Sequence, residues 1–415
     1  MRLIFLLFLL AVHKCYADLD ETIQIGKGFL DVGGFAFEKI AGKLSLVGAT
    51  ASLIKDIINS GKPDPVMQRL NELGDQIGEL SNHMDWQFKK LEAFQVENDF
   101  YRDISSTSKM LHMYLKDLIK NPNQHSLGLF RDATLRHPPL QCAYKFIALF
   151  ENDPTNPMIA AMNADRFHTI ETHDKWRKIT GDVLGSFLYL ETMVNGLFWD
   201  RNMYGPNELE GKIYGIYGRL DWLRDHYRKT YWDGDKARGE SSPVRNLIES
   251  VQEDKSLKTN DDKALKIKEG LMAMLTEDHV FYIIVYDDVY NCDNHAFSYN
   301  KDQYMESFHR HGTNIVVYRS YHWKEADQNA MDTFKRNVEG LKLHARPDYD
   351  YHMDFMRKLV PDSGMVGVIR KDHHVAIRSA NSQKAEWGPG WWVTGTFETN
   401  MFEKNIKWIM IGGYK

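Results

Sequence analysis

The side chains best suited to metal chemistry stand together after a run of strand-forming residues. Three carboxylates and an imidazole, at Asp287, Asp288, Asp293 and His295, fall within nine residues of one another beside Cys292. Oxygen and nitrogen ligands of this kind could bind a divalent cation. Their spacing matches neither an EF-hand loop nor a zinc signature, so a polar hairpin is the better interpretation. We therefore predict no metal site.

Two further pairs of histidines could also be considered as metal ligands. His373 and His374 are adjacent, and His309 and His311 flank one arginine. Adjacent side chains on a strand point to opposite faces of the sheet, so they do not converge on one ion. These pairs are better interpreted as turn and surface residues. The 17 histidines of the chain could still act together as an acid sensor, because an unperturbed imidazole has a pKa of about 6.5.

The sequence contains no signature of a familiar enzyme class. It has no Gly-X-Ser-X-Gly elbow, no His-Glu-X-X-His pair, no P-loop and no dinucleotide fingerprint. Cys142 or Cys292 could in principle form a nucleophilic pair with a histidine, but no local signature surrounds either thiol. We predict a protein that is not an enzyme and needs no cofactor.

One loop carries three tryptophans around a forced turn. Gly388-Pro389-Gly390 separates Trp387 from Trp391 and Trp392. Indole is apolar with a single donor, which suits membrane interfaces and the faces of sugars. The alternative is a hairpin whose tryptophans fold back onto a sheet. The three tryptophans are therefore candidates for a binding loop.

The first 17 residues resemble a secretory signal peptide. Arg2 supplies the positive charge, and the apolar run Leu3–Val12 is half the length that a bilayer requires. Ala17 ends the segment, so cleavage would leave Asp18 as the new terminus. The alternative is an N-terminal membrane anchor. We predict a secreted, extracellular protein.

An oxidising compartment would allow the two remaining cysteines to pair. Removal of the signal peptide takes Cys15 with it and leaves Cys142 and Cys292. A disulfide between them is permitted outside the cytosol. Two separate buried thiols are the alternative, because sequence alone does not give the distance between the side chains.

Composition limits the classes of partner. The chain has 415 residues, of which 43% are hydrophobic and 26% charged, which excludes wholesale disorder. Its net charge of −5 argues against binding to nucleic acid. The remaining candidates are a lipid membrane or an extracellular receptor.

Helical periodicity dominates the first two thirds of the chain. From Val66 to Met84 the apolar residues alternate spacings of four and three, which is a heptad stripe. It predicts either a helical hairpin packed in a bundle or the seam of a coiled-coil dimer, which would make the protein a homo-oligomer. Further apolar positions continue to Asn121, and we expect a helix break at Ser105–Ser108. Asn156 is a predicted N-cap with Pro157 at the first helical position.

One helix is apolar on every side. Val183–Trp199 carries a single charge, at Glu191, and such a helix is usually the buried centre of a bundle. After residue 275 the sequence becomes rich in strand formers. Six strands are predicted, over residues 281–286, 315–318, 365–369, 375–377, 391–397 and 406–411. Helical stretches are expected near 325–340 and 351–359.

These patterns predict a mainly α protein of two domains. Residues 1–17 are the signal peptide, 18–275 form a helical bundle with an apolar central helix, and 276–415 form a smaller α+β domain. Loop-forming residues are dense within 233–262, and we expect limited proteolysis to cut there first.

The order of features in 20–275 resembles a known helical domain. A glycine-rich apolar segment, a Pro-Asp-Pro break and the stretch PVMQRLNELGDQIGELSNHMDWQFKKLE precede a bundle with one very apolar helix. This resembles the insecticidal-crystal-toxin-like domain of delta-endotoxins, jellyfish toxins and rapunzel-type secreted animal proteins. The resemblance implies a bundle that inserts into membranes in the toxin members, and it transfers no functional residue to this chain.

Two functions follow from the resemblance. The first is a secreted protein that inserts a helical hairpin, from 25–58 or 176–200, into a bilayer. The second is an extracellular binding or signalling protein that keeps the bundle as a scaffold. For the first, the candidate insertion residues are Leu44, Leu46, Leu53, Ile54, Leu184, Phe187 and Leu188.

Overall fold

The structure is a computed structural model that describes a defined part of the chain. The described residues are 44–60, 70–79, 82, 98–199, 202–237, 239–276, 279–288, 295–298, 303–320, 336, 365–370, 374–381, 396–399 and 408–413. Two compact units are present. The first comprises Met1–Ala164 and Glu171–Leu223, and the second comprises Asp165–Ile170 and Arg224–Lys415.

The helices follow one another closely along the first part of the chain. Residues 70–79 are helical, and the other helices, in chain order, are α1 (Leu44–Ser60), α2 (Asn98–Lys120), α3 (Gln124–Arg136), α4 (Pro139–Glu151), α5 (Pro157–Ala164), α6 (Ile170–Phe198), α7 (Tyr204–Thr230), α8 (Pro243–Glu253) and α9 (Asn260–Ala273). The predicted cap of α5 is confirmed. The side-chain oxygen of Asn156 accepts hydrogen bonds from the backbone N–H groups of Met158 and Ile159.

The expected break at Ser105–Ser108 is wrong, because α2 runs through it without interruption. Serine and threonine lower helix propensity by only a few tenths of a kcal/mol each. Leu111 and Leu115 on the same helix are fully buried. Packing of this apolar face outweighs the weak local preference. Residues 66–69 and most of 80–97, where the heptad stripe continues, lie outside the described residues.

Two antiparallel sheets form the strand-rich part of the second unit. The strands are β1 (Val280–Asp287), β2 (His295–Ser298), β3 (Tyr304–Arg310), β4 (Thr313–Ser320), β5 (Met365–Arg370), β6 (Val375–Asn381), β7 (Thr396–Thr399) and β8 (Trp408–Gly413). One sheet has the order β3-β4-β1-β6 and the other β2-β5-β8-β7. Each predicted strand segment overlaps an observed strand. The sequence analysis missed β2 and β3.

Strand β1 is covered on both faces. Phe281, Ile283 and Val285 join a hydrophobic cluster with α8 and α9. On the opposite face, the ring of Tyr286 lies 5.3 Å from that of His295 on β2. This double burial explains why the segment FYIIVY is apolar throughout and does not alternate.

The predicted fold class is confirmed: the protein is mainly α, with a helical bundle followed by a smaller α+β part. The change from helical to strand-forming sequence near residue 275 lies within the second unit, since α8 and α9 cover the sheet. Helix α8 lies entirely within the loop-rich range 233–262, and α9 begins at the end of that range. The helices expected near 325–340 and 351–359 lie outside the described residues, apart from residue 336.

Candidate functional site at the buried central helix

The central helix of the first unit is buried on all sides. Every residue of α6 from 179 to 197 is buried, and the insertion candidates Leu184, Phe187 and Leu188 are fully inaccessible. The insertion of a hairpin over 176–200 into a bilayer stays a prediction, and within the bundle Ile170–Phe198 is one continuous helix. Its glycines do not break it because close packing compensates for their low helix propensity.

Helix α1 packs closely against the C-terminal half of α6. A Cβ atom added to Gly196 would lie 2.5 Å from the Cβ of Ala51 and 2.6 Å from the carbonyl oxygen of Gly48. The hydroxyl of Ser52 donates a hydrogen bond of 3.3 Å to the carbonyl oxygen of Gly196. The absence of a side chain at Gly196 therefore allows the two backbones to approach.

The insertion candidates on α1 divide into two groups. Leu44 and Ile54 are buried, whereas Leu46 and Leu53 are half-buried. The buried pair belongs to the same face as Val47 and Ala51. The structure thus brings the two predicted insertion segments together as one packed helix pair, which the sequence did not indicate.

A buried histidine links α2 to α6. The Nδ1 atom of His112 lies 2.7 Å from the carbonyl oxygen of Ser108, and its Nε2 atom lies 2.9 Å from the hydroxyl of Ser186. A carbonyl oxygen can only accept, so Nδ1 carries the proton and Nε2 accepts from Ser186. The neutral imidazole is therefore fully hydrogen-bonded.

Protonation of His112 works against this arrangement. Complete burial lowers the pKa of His112 to about 4, although its hydrogen bond to Ser108 opposes that shift. The charged ring would have to donate from Nε2, and Ser186 would have to reverse its hydroxyl. Asp182 lies one turn before Ser186 on α6 and is also buried.

A buried carboxylate joins three helices at the other end of this stretch. Glu191 on α6 accepts a 3.2 Å hydrogen bond from the backbone N–H of Leu140, at the start of α4. It also accepts a 2.8 Å hydrogen bond from the side-chain amide of Asn195. A Cβ atom at Gly205, at the start of α7, would overlap its Oε1 atom. Helix N-termini favour a negative charge, which explains this placement.

Burial nevertheless dominates the titration of this carboxyl. Desolvation raises the pKa of Glu191, and the hydrogen bonds from Asn195 and Leu140 lower it by less. Burial raises the pKa of the Tyr144 phenol on α4, and the nearby negative charge of Glu191 contributes to this rise. The site therefore holds a carboxyl whose protonation is favoured relative to a solvated glutamate.

Three exposed aromatic residues lie after the end of α6, at the start of α7 and on α4. Trp199 directly follows α6 and is 57% exposed, and Tyr204 begins α7 and is 70% exposed. Tyr144 is exposed as well. Aromatic residues with one polar atom are typical of membrane interfaces. We refer to Tyr144, Trp199 and Tyr204 as the aromatic tip.

Other predicted site residues lie elsewhere or outside the description. The tryptophans at 387, 391 and 392 lie outside the described residues. Cys142 is buried on α4 and pairs with no cysteine among the described residues. Burial raises the pKa of its thiol, and it lines a cavity of about 340 Å³ with Arg136 and Lys145. Cys292 is outside the described residues, so the disulfide stays a prediction.

The carboxylates and the imidazole after β1 have separate partners. Asp287 accepts a 2.8 Å hydrogen bond from the side chain of Asn260, and Asp288 lies 2.7 Å from His309. His295 is on β2, where burial lowers its pKa to about 4. Asp293 lies outside the described residues. These four side chains therefore give no common ligand set within the described part.

The described members of the two histidine pairs lie in turns or on the surface. His309 is the next-to-last residue of β3 and His311 lies in the turn to β4, and their φ values are positive, at 55° and 51°. His374 is exposed and lies 3.2 Å from Asp261, and His373 is outside the described residues. Among the described helices, none is both long and apolar enough to cross a membrane.

Sequence analysis missed His112, Ser186 and Asn195 as members of the site. The sequence does contain a signal for them, because each is a polar residue at a position surrounded by apolar residues of the same helix. Only their positions relative to Ser108 and Glu191 show that they share hydrogen bonds.

The described part of the chain is a helical bundle around a helix that is buried from 179 to 197, with a second unit in which helices cover an antiparallel sheet. The chain belongs to the family described as Protein of unknown function (DUF684), which matches residues 68–404. That range includes parts of both units. No curated protein and no solved structure matches the chain.

Proposed function

We propose that this is a secreted, non-enzymatic protein whose helical unit interacts with lipid membranes. The observation that carries the proposal is the burial of α6 on all sides from 179 to 197, with α1 packed on it through Gly196. Such a helix has its backbone hydrogen bonds satisfied internally, so it can exchange protein contacts for lipid. The resemblance of 20–275 to pore-forming bundles supports the same action.

Acidification is the proposed trigger of membrane interaction, because the buried side chains of His112 and Glu191 both titrate with shifted pKa values. The folded-state pKa of His112 is lowered from about 6.5 to about 4. Its contribution to stability is therefore present above pH 6.5 and is lost as pH falls towards 4. A shift of this size corresponds to about 3 kcal/mol. Acidification thus loosens the contact between α2 and α6.

Protonation of Glu191 stabilises the bundle, whereas protonation of His112 destabilises it. Both protonations favour insertion into a bilayer. Because burial raises its pKa in the folded protein, protonation stabilises the bundle as pH falls through that value. The neutral carboxyl also enters a bilayer more easily, since a central charge costs about 3 kcal/mol on insertion scales. His112 therefore loosens the bundle, and Glu191 removes the charge that would oppose entry.

The aromatic tip is the proposed first point of contact with lipid. Trp199 and Tyr204 are exposed at the end of α6 and the start of α7. Indole and phenol rings place their apolar faces among acyl chains while the polar atom stays near water. Contact there would bring the C-terminal end of α6 to the bilayer surface.

An extracellular scaffold that binds a receptor is the second candidate. The hydrogen bonds of His112 and Glu191 favour it, because satisfied buried polar networks fix helices in one arrangement. A scaffold would need no opening of the bundle at any pH. Assembly into a homo-oligomer stays a prediction under either function.

Liposome flotation and dye release distinguish the two functions. Mature protein is mixed with neutral and with anionic vesicles at pH values from 7.5 to 4.5. We expect binding and release to increase as pH falls, on both vesicle types, because the apolar helix and not bulk charge provides the attraction. If the protein neither binds nor releases dye at any of these pH values, the membrane function is wrong and the scaffold replaces it.

Matched aromatic variants locate the contact. Trp199→Ala combined with Tyr204→Ala should reduce binding at least tenfold. Trp222→Ala combined with Tyr214→Ala removes two other exposed rings, both from α7, and should leave binding unchanged. Circular dichroism at each pH checks the helical content of both proteins. Equal losses in the two double variants would exclude the aromatic tip as the contact.

A further inference from the structure

Three potential metal ligands meet in the second unit, away from the site described above. The imidazole of His226 and the carboxylates of Asp235 and Glu240 each offer one ligand atom, and these atoms lie within 4.8 Å of one another. His226 lies near the C-terminal end of α7. Asp235 and Glu240 belong to the loop between α7 and α8. A helix contributes one ligand and a single loop the other two.

The loop is folded so that its two carboxylates converge. Gly234 has a φ of 74°, which glycine adopts without strain, and a Cβ atom there would overlap the carbonyl oxygen of Glu240. The backbone N–H of Glu240 donates a 2.9 Å hydrogen bond to the carbonyl oxygen of Asp235. The Oδ1 atom of Asp235 accepts another from the N–H of Ala237. Its Oδ2 atom faces His226.

The spacing of two ligand atoms fits a four-coordinate ion. The Nε2 atom of His226 lies 3.4 Å from the Oδ2 atom of Asp235. Two ligands at about 2.0–2.1 Å from a tetrahedral Zn²⁺ ion are themselves about 3.4 Å apart. One edge of the tetrahedron is therefore already at the required length. Both side chains are about 15% exposed, so an ion could enter from solvent.

We propose that His226, Asp235 and Glu240 form a binding site for a divalent transition-metal ion, with Zn²⁺ as the ligand to test first. An imidazole nitrogen disfavours Ca²⁺ and Mg²⁺, which prefer oxygen ligands. Two carboxylates balance the charge of the ion, and the negative end of the α7 dipole adds to the attraction. Three protein ligands leave one coordination position for water.

The bound ion would connect the end of α7 to the loop before α8. Asp233-Gly234-Asp235 and Gly239-Glu240 belong to the range that the sequence marks as open to proteolysis. A metal that binds only the folded arrangement stabilises it according to its concentration and affinity. Zn²⁺ should therefore slow cleavage after Lys236, which is exposed between the two carboxylate ligands.

Calorimetric titration of the tag-free mature protein with Zn²⁺ at pH 7.5 tests the site. We expect one site per chain whose affinity falls at least tenfold in Asp235→Asn and in Glu240→Gln. Both substitutions keep the shape of the side chain, and asparagine retains an oxygen for the Ala237 N–H. Asp233→Asn removes the same charge from an exposed position in the same loop and should bind Zn²⁺ as the wild type does.

Two further readouts separate the site from weak binding at surface histidines. Co²⁺ should give the intense visible absorption of four-coordinate geometry in the wild type and in Asp233→Asn, and lose it in Glu240→Gln. Zn²⁺ should slow tryptic cleavage after Lys236 in the same two proteins only. Hydrogen exchange of β1 confirms that each variant is folded. The proposal is overturned if the wild type takes up no Zn²⁺, or if Asp235→Asn and Glu240→Gln bind it as tightly as Asp233→Asn.

Discussion

The two most deeply buried segments of the described chain, α6 from 179 to 197 and strand β1, achieve burial in different ways. In β1 the buried side chains from Phe281 to Tyr286 are aliphatic or aromatic. In α6 the buried set includes Asp182, Ser186 and Glu191. The strand is hydrogen-bonded to β4 and β6 along its length, whereas the helix satisfies its own backbone.

This difference means that α6 could leave its partners without exposing unpaired backbone groups, whereas β1 could not. Removal of β1 from its sheet would expose unpaired backbone groups on both sides. Removal of α6 from its bundle would expose side chains only, and the cost depends on the protonation of Glu191 and His112. A segment that exchanges protein contacts for lipid is therefore expected in the helical unit.

Truncation of one side chain in each segment should give the largest effects. Leu188→Ala in α6 and Ile283→Ala in β1 each remove a fully buried side chain and should cost about 2–5 kcal/mol. Hydrogen exchange followed by mass spectrometry measures protection in both segments. Leu188→Ala should lower protection of 179–197 and leave β1 protected, with the reverse for Ile283→Ala. Loss of protection in both segments from either change would mean that the two units unfold together.

Substitution of His112 tests the dependence on pH. Between pH 7 and pH 4 the wild-type helical unit should lose about 3 kcal/mol through His112, whose folded-state pKa is about 4. His112→Gln cannot titrate, so its unfolding free energy should fall by much less over the same range. Urea unfolding monitored by exchange of α6 peptides gives both values. Parallel pH curves for the two proteins would assign the acid response to another group.

Gly196→Ala tests the contact between α1 and α6. The new methyl group would meet the backbone of Gly48, which cannot move aside as a flexible side chain can, and we expect a loss of about 1–3 kcal/mol. Gly211→Ala is the control, since an added Cβ meets nothing within 4 Å there. It should stabilise α7 slightly, because alanine favours the helix. Thermal unfolding of both variants is the measurement, and equal midpoints would argue against close packing at Gly196.

Glu191→Gln should change the free energy of unfolding least, and it should raise this free energy. Glutamine removes the charge whose burial raises the carboxyl pKa and keeps an oxygen for the Leu140 N–H. The variant should be more stable than the wild type at pH 7.5, by up to about 1 kcal/mol. The difference should vanish as pH falls and the wild-type carboxyl protonates. A variant that is less stable than the wild type at pH 7.5 would show that the hydrogen bonds to the charge outweigh its desolvation.

Strongly patterned segments could be predicted from the sequence, and weakly patterned ones could not. The apolar run Val183–Trp199 and the strand FYIIVY were predicted because their composition admits no exposed face. Strands β2 and β3 were missed since His295–Ser298 and Tyr304–Arg310 mix polar and aromatic residues without clear alternation. The serine-rich stretch of α2 was misjudged because local propensity is weaker than packing.

The candidate sites depended on tertiary structure still more. Glu191 is visible in the sequence as the single charge of an apolar helix. Its contacts, however, are with Leu140 on an earlier helix and with Gly205 on the following helix. His226, Asp235 and Glu240 have no recognisable spacing, and only the turn at Gly234 brings their ligand atoms together.

The sequence by itself determined the strongly patterned helices and strands and the burial of Val183–Leu197 and of the strand FYIIVY, because periodicity and apolar composition act over a few neighbouring residues. Tertiary structure alone decided that α1 lies against α6 and that α8 and α9 cover the sheet. It also decided that one imidazole meets two carboxylates beyond the end of α7. These outcomes depend on complementary shape and on hydrogen bonds between residues far apart in the chain, which no local pattern records.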